Sequence, residues 1–171
     1  MEKFAFIIHP LSIHDMAHVS PVLKFIPDSW LESALKLKKP FQVSHITGIK
    51  SPYAEAEGWF IGCPLTSKQM VELPEEFVMD RIIESGKIAQ ELGAKVVGLG
   101  AFTSIVGDAG ITVAKNLDIA VTSGNSYTVA TALEGTREAV RLMGKDLATA
   151  HVTIVGASGS IGAACTRILA R

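Results

Sequence analysis

Near the end of the chain, Val152-Thr153-Ile154-Val155 runs into Gly156-Ala157-Ser158-Gly159-Ser160-Ile161-Gly162, and Ala163-Ala164-Cys165-Thr166-Arg167-Ile168-Leu169 follows. The first run reads as a buried strand and the last as a helix, joined by a tight glycine turn. That order suits anion chemistry, and in particular the pyrophosphate of a dinucleotide. Gly156 permits the sharp turn, Gly159 lets backbone N–H groups approach phosphate, and Gly162 lets the new helix pack close to its strand. The helix N-terminus adds unpaired N–H donors and partial positive charge. Ala157 and Ile161 complete the turn, and the Ser158 and Ser160 hydroxyls are further donors. The alternative is a strand-to-helix turn that binds nothing. The acidic residue that would hold a ribose is expected about 20 residues further on, beyond Arg171.

Two more loops have ligand-facing chemistry. Phe102, Thr103 and Ser104 follow the apolar run Lys95-Val96-Val97-Gly98-Leu99-Gly100. Thr122, Gly124, Asn125, Ser126 and Thr128 follow a second run, Asp118 to Val121, and open a helix. Ligands of open α/β sheets settle at such carboxyl ends, where hydroxyl and amide groups reach an acyl oxygen or a nicotinamide amide. Ordinary capping by Ser123 and Asn125 is the simpler reading of the second loop. His9, His14, His18, His45 and His151 share no ligand spacing, so no metal site is expected. Cys63, before Pro64, reads as a small buried side chain rather than a nucleophile, and Cys165 as helix packing. Lys36, Lys38 and Lys39 form a solvated face.

The rest of the chain must position these groups. With 48% hydrophobic and 19% charged residues it can bury a core, which excludes disorder. Sixteen basic residues against 17 acidic ones give no nucleic-acid footprint. The opening Phe4-Ala5-Phe6-Ile7-Ile8 is cut short by His9-Pro10, so it is neither a signal peptide nor a membrane span. A cytoplasmic location with reduced thiols follows as the expectation.

Phe4 to Ile8 predicts a first strand, and Ser12 the cap of a short helix through Met16 that Pro21 ends. Residues 22–40 predict short helical pieces. Phe41 to Ile49 alternates at period two and pairs as a hairpin with Ala56 to Gly62 across Lys50-Ser51-Pro52-Tyr53. From Pro74 the pattern becomes helix (Glu75 to Leu92, stopped by Gly93), strand (Lys95 to Phe102), strand (Asp118 to Thr122) and helix to Gly144. The strand at Val152 follows. Alternation of this kind predicts an α/β fold with a parallel sheet core. The predicted division is an N-terminal α/β part over residues 1–145, then the first βα unit of a Rossmann-type part over 146–171.

Taken in order, Gly98 to Val106, Thr122 to Thr128 and Val155 to Gly162 resemble the long-chain acyl-[acyl-carrier-protein] reductases of cyanobacteria. Bacterial relatives described as predicted amino-acid or shikimate-type dehydrogenases share the resemblance. It implies an oxidoreductase that uses NADPH, or NADH, to turn fatty acyl thioesters of acyl carrier protein or coenzyme A into fatty aldehydes. A cysteine thiolate would carry the acyl group, and no residue of this sequence matches that nucleophile. The resemblance therefore implies a truncated, inactive piece, and the exposed edge of its strand at 152–155 favours self-association or disorder. The alternatives are part of a shikimate- or amino-acid-type dehydrogenase, and a non-catalytic binding or assembly domain.

Overall fold

The computed structural model describes residues 1–15 and 25–171. Met16, His18 and Pro21, which enter the expectations above, lie outside the described residues. The chain is α/β and divides into two compact units, Met1–Ser123 and Gly124–Arg171. The division falls before the helix that starts at Asn125 and not near residue 145, because that helix shares its apolar core with the glycine-turn helix.

The first unit is built on five strands: β1 (Glu2–Ile8), β2 (Phe41–Lys50), β3 (Glu55–Gly62), β4 (Val96–Leu99) and β5 (Ala120–Thr122). Their order is β2-β3-β1-β4-β5, parallel except for the β2–β3 hairpin. In the hairpin turn the Ser51 hydroxyl accepts from the amides of Tyr53 and Ala54. β1 alternates: Ala5 and Ile7 are buried, while Phe6 and Ile8 on the other face stay 44% and 36% exposed. The buried face joins Ile61 of β3 and Val97 and Leu99 of β4. It packs under α3 (Glu75–Glu91) through Val78, Ile82 and Ala89. Glu75 and Glu76 in its first turn complement the helix dipole, and Gly93 at φ +85° ends it as predicted.

Residues 13–15 are helical, and two further short helices precede α3 among the described residues. α1 (Asp28–Leu37) buries Leu35. α2 (Ser67–Glu72) starts at a capping box: the Gln69 amide donates to Thr66 Oγ1, and the Thr66 amide to Gln69 Oε1. Gln69 Nε2 also donates to the Glu32 carbonyl at 2.8 Å, which ties α2 to α1.

β4 is shorter than the run Lys95 to Phe102 suggests. Beyond Leu99 the Gly100 amide donates to the Ile7 carbonyl, and Ala101 turns to φ +48°, opening a 3₁₀ turn over Ala101–Ser104. A left-handed alanine is strained backbone, and it sits at the carboxyl end of a central strand. α4 (Ile111–Lys115) then leads to β5.

The second unit pairs α5 (Asn125–Leu142) with α6 (Ser160–Leu169) around Val129, Leu133 and Cys165. The expected strand Val152 to Val155 is not formed. A strand exists only through its ladder, and among the described residues His151 to Val155 join none. Ile154 packs against the helix pair while Val155 is 96% exposed. Thus the predicted βα unit is reduced to a turn and a helix.

Candidate functional site

In the second unit the glycine turn is local and self-supporting. Gly156 takes φ +78°, which a side chain resists, and its carbonyl accepts from the Gly159 amide at 3.0 Å. Gly159 is the N-cap of α6. A Cβ on Gly162 would collide with the Gly156 carbonyl, so the third glycine lets α6 lie against the turn itself. The close packing was anticipated against a strand; the turn takes the strand's place. Ala157, Ser158, Gly159 and Ser160 are exposed, and Ile161 and Gly162 half-buried. The first N–H groups of α6 have no acceptor within the helix.

The structure joins this turn to part of the second predicted loop. Asn125 Nδ2 donates to Ser160 Oγ at 2.9 Å, so the N-termini of α5 and α6 meet. Asn125 is not a cap: the N-cap is Gly124 at φ +73°, with no side-chain capping bond. Thr128 Oγ1 donates to the Gly124 carbonyl, and Ser126 is exposed. Two converging helix N-termini concentrate positive potential where an anion would sit. Thr122 lies in β5 of the first unit.

The first unit has its own crevice. After β1 the chain moves to one side of the sheet, and after β4 to the other, so their carboxyl ends flank a topological switch point. His9 stands there. Its Nε2 accepts the Phe102 amide at 3.1 Å, which leaves Nδ1 to donate to the Pro10 carbonyl at 3.0 Å. Both ring nitrogens are occupied and the imidazole is neutral. Phe102 meets the ring edge-on at 6.0 Å. Thr103 Oγ1 donates to the Gly100 carbonyl and Ser104 Oγ to the Ala101 carbonyl, so both hydroxyls brace the turn. Phe102, Thr103 and Ser104 are therefore brought to a carboxyl-end crevice, but the two hydroxyls are spent on backbone carbonyls and the Phe102 amide on His9.

Beside His9 a cavity of about 310 Å³ opens among Ile8, Pro10, Leu35, Phe41, Val43 and Cys63. Burial pushes the Cys63 thiol up to about 12, against lowering by Ser85 and Arg81. It stays protonated and unreactive, in keeping with a packing role. His9 and this cavity are absent from the sequence-based candidates. Only the run of apolar residues around His9-Pro10 hinted at them, because the contact to Phe102 spans 93 positions. Among the described residues no His, Cys, Asp and Glu group forms a metal site, and no helix is long and apolar enough to cross a membrane.

No family model matches the chain. It is 29% identical over 179 residues to the protein named Aminotransferase PigE from Serratia sp. (strain ATCC 39006). The match covers 98% of this chain and 20% of that protein, so the chain spans about a fifth of the length of this curated relative. The chain is thus similar to part of an enzyme. That enzyme is named for amino-group transfer, which overturns the expected NADPH-dependent reduction of acyl thioesters to fatty aldehydes. The dehydrogenase alternative falls with it, NADH included, and the match gives a non-catalytic role no support. The physical reason for the misreading is plain: a glycine turn at a helix N-terminus selects an anion, and does not specify hydride chemistry.

Proposed function

We propose that this chain is a portion of an amino-group-transferring enzyme, and that its turn at Gly156–Gly162 receives the phosphate group of a bound ligand. The reading is carried by the match over nearly the whole chain to a protein named an aminotransferase. It is supported by the convergence of two helix N-termini through Asn125 and Ser160. The ligand's phosphate would take the first N–H groups of α6, with Ser158 and Ser160 hydroxyls beside them.

Amino-group transfer usually runs on pyridoxal phosphate held by a lysine. The unit that carries the turn fits the phosphate end of that cofactor but not its aldehyde end. Its single lysine is Lys145, beyond the C-terminus of α5, whereas the turn meets the helix's N-terminus. An 18-residue helix separates them by roughly 27 Å. No step through the cofactor is therefore assigned to these residues; what they supply is a fixed set of N–H donors.

An amide-resolved NMR titration with inorganic phosphate tests the anion role. Saturating shifts are expected at Gly159, Ser160, Ile161 and Gly162, with a Kd on the order of millimolar, ~4 kcal/mol, and Gly162→Ala should abolish them. Shifts confined to surface lysines and arginines, or none, would remove the turn from the site.

A further inference from the structure

The cavity of the first unit has a chemistry that the reading above does not use. Its walls are Ile8, Leu35, Phe41 and Val43, and its floor the fully buried Cys63. At about 310 Å³ it lies at the small end of the 300–1,000 Å³ range of ligand pockets, and it adjoins a sheet switch point, where such pockets occur. Polar side chains at it are few. His9 is neutral with both nitrogens engaged, so it contributes a ring face. The thiol of Cys63 is protonated, so the floor is apolar.

Among the described residues two charges remain, one of each sign. Lys38 lies at the C-cap of α1 with its Nζ 3.9 Å above the Phe41 ring, and it has no ion-pair partner among the described residues. Asp15 accepts the Ser12 amide on Oδ2 at 2.8 Å, leaving Oδ1 for another donor. Both line the cavity, both are exposed, and they do not pair with each other. A purely apolar ligand would leave these charges unused. A monoanion would meet the Asp15 carboxylate, and a monocation the Lys38 ammonium.

From this we infer that the cavity binds a free α-amino acid with an apolar side chain. Its carboxylate faces Lys38, its ammonium faces Asp15, and its side chain lies against Phe41, Val43 and Leu35. Opposite charges lining one cavity match a zwitterion and reject either half of it, which is specificity by unpaired charge. The inference concerns binding, and it does not depend on the turn at Gly156 or on the amino-transfer reading.

Calorimetric titration of the 171-residue chain with L-phenylalanine tests it, alongside phenylpropanoate, phenylethylamine and L-lysine. Saturable binding of L-phenylalanine is expected, with each of the other three at least about tenfold weaker. Lys38→Gln and Asp15→Asn should each weaken L-phenylalanine by about tenfold or more, without moving the unliganded melting temperature, since both side chains are exposed. Lys38→Gln should spare phenylethylamine, and Asp15→Asn should spare phenylpropanoate. Val43→Trp, which fills the cavity from a half-exposed strand position, should abolish binding. No saturable binding, equal binding of phenylpropanoate and L-phenylalanine, or indifference to both charge substitutions would overturn the assignment.

Discussion

The two units differ in how most of their glycines are used. In the sheet unit, most glycines are roofed. A Cβ on Gly58 would meet the Phe4 ring at 2.6 Å, one on Gly98 would run into Phe6, and one on Gly100 would meet the Ile7 carbonyl at 2.6 Å. In the helical unit, Gly124, Gly135, Gly144 and Gly156 have nothing within 4 Å of where a Cβ would stand. The first set makes room for packing, and the second mostly serves backbone direction. Hydrogen bonding follows the same divide. The sheet strands are laddered through five elements, whereas among the described residues His151–Val155 join no ladder. The lesson is that the sheet unit is consolidated by its own residues, while the helical unit leaves a β-favouring run unused.

The largest test of that contrast is core truncation. Ile61 is fully buried at the centre of the large cluster, so Ile61→Ala should cost about 2–5 kcal/mol of stability. Leu133 sits in a core of three buried residues that can collapse around a gap, so Leu133→Ala should fall near the bottom of that range, about 2 kcal/mol. Denaturant unfolding with hydrogen exchange resolves the two units, and a larger loss at Leu133 would reverse the comparison.

The two thiols provide a smaller, sharper test. Cys165 should react first with a thiol reagent in native conditions, through opening of the smaller core, and Cys63 only on unfolding of the sheet unit. Cys63 also links stability to alkali. Its folded-state pKa of about 12 exceeds the ordinary 9.0, so the unfolded chain loses its proton first. The contribution is whole below pH 9 and is lost as pH rises towards 12. The urea midpoint of the native chain should thus fall faster over that window than that of Cys63→Ala; parallel curves would refute it.

The smallest effect concerns helix starts. Thr66→Ala removes half of a capping box and should cost about 1 kcal/mol. Asn125→Ala removes no cap and should stay within about 0.5 kcal/mol in thermal unfolding. Equal costs would mean that α5 relies on Asn125 after all.

Most of the elements were legible because their signals are local. The period of two in Phe41–Ile49, the apolar face of Phe77–Leu92 before Gly93 and the glycine turn before Ile161 each depend on near neighbours. The failures are non-local. Val152–Val155 has strand composition but no neighbour to pair with. The helix at Asn125 starts on the left-handed Gly124, not on a serine or asparagine side chain. The tie between His9 and Phe102 joins distant positions, and so does the cavity that Asp15 and Lys38 both line. Periodicity does not report such meetings. The glycine turn was found in place, yet its residues name a charge to be bound and not a reaction, which is why the reductase reading did not survive the comparison with a known protein.

The ring-over-glycine arrangement sets a rule for the protein's history. Phe4 lies across from Gly58, and Phe6 across from Gly98, in cross-strand register. A methyl group gained at position 98 needs volume given up at position 6, and likewise for positions 58 and 4. Related sequences should therefore change these positions in pairs, with large and small exchanged between strands, so that the two pairs drift together as units of inheritance.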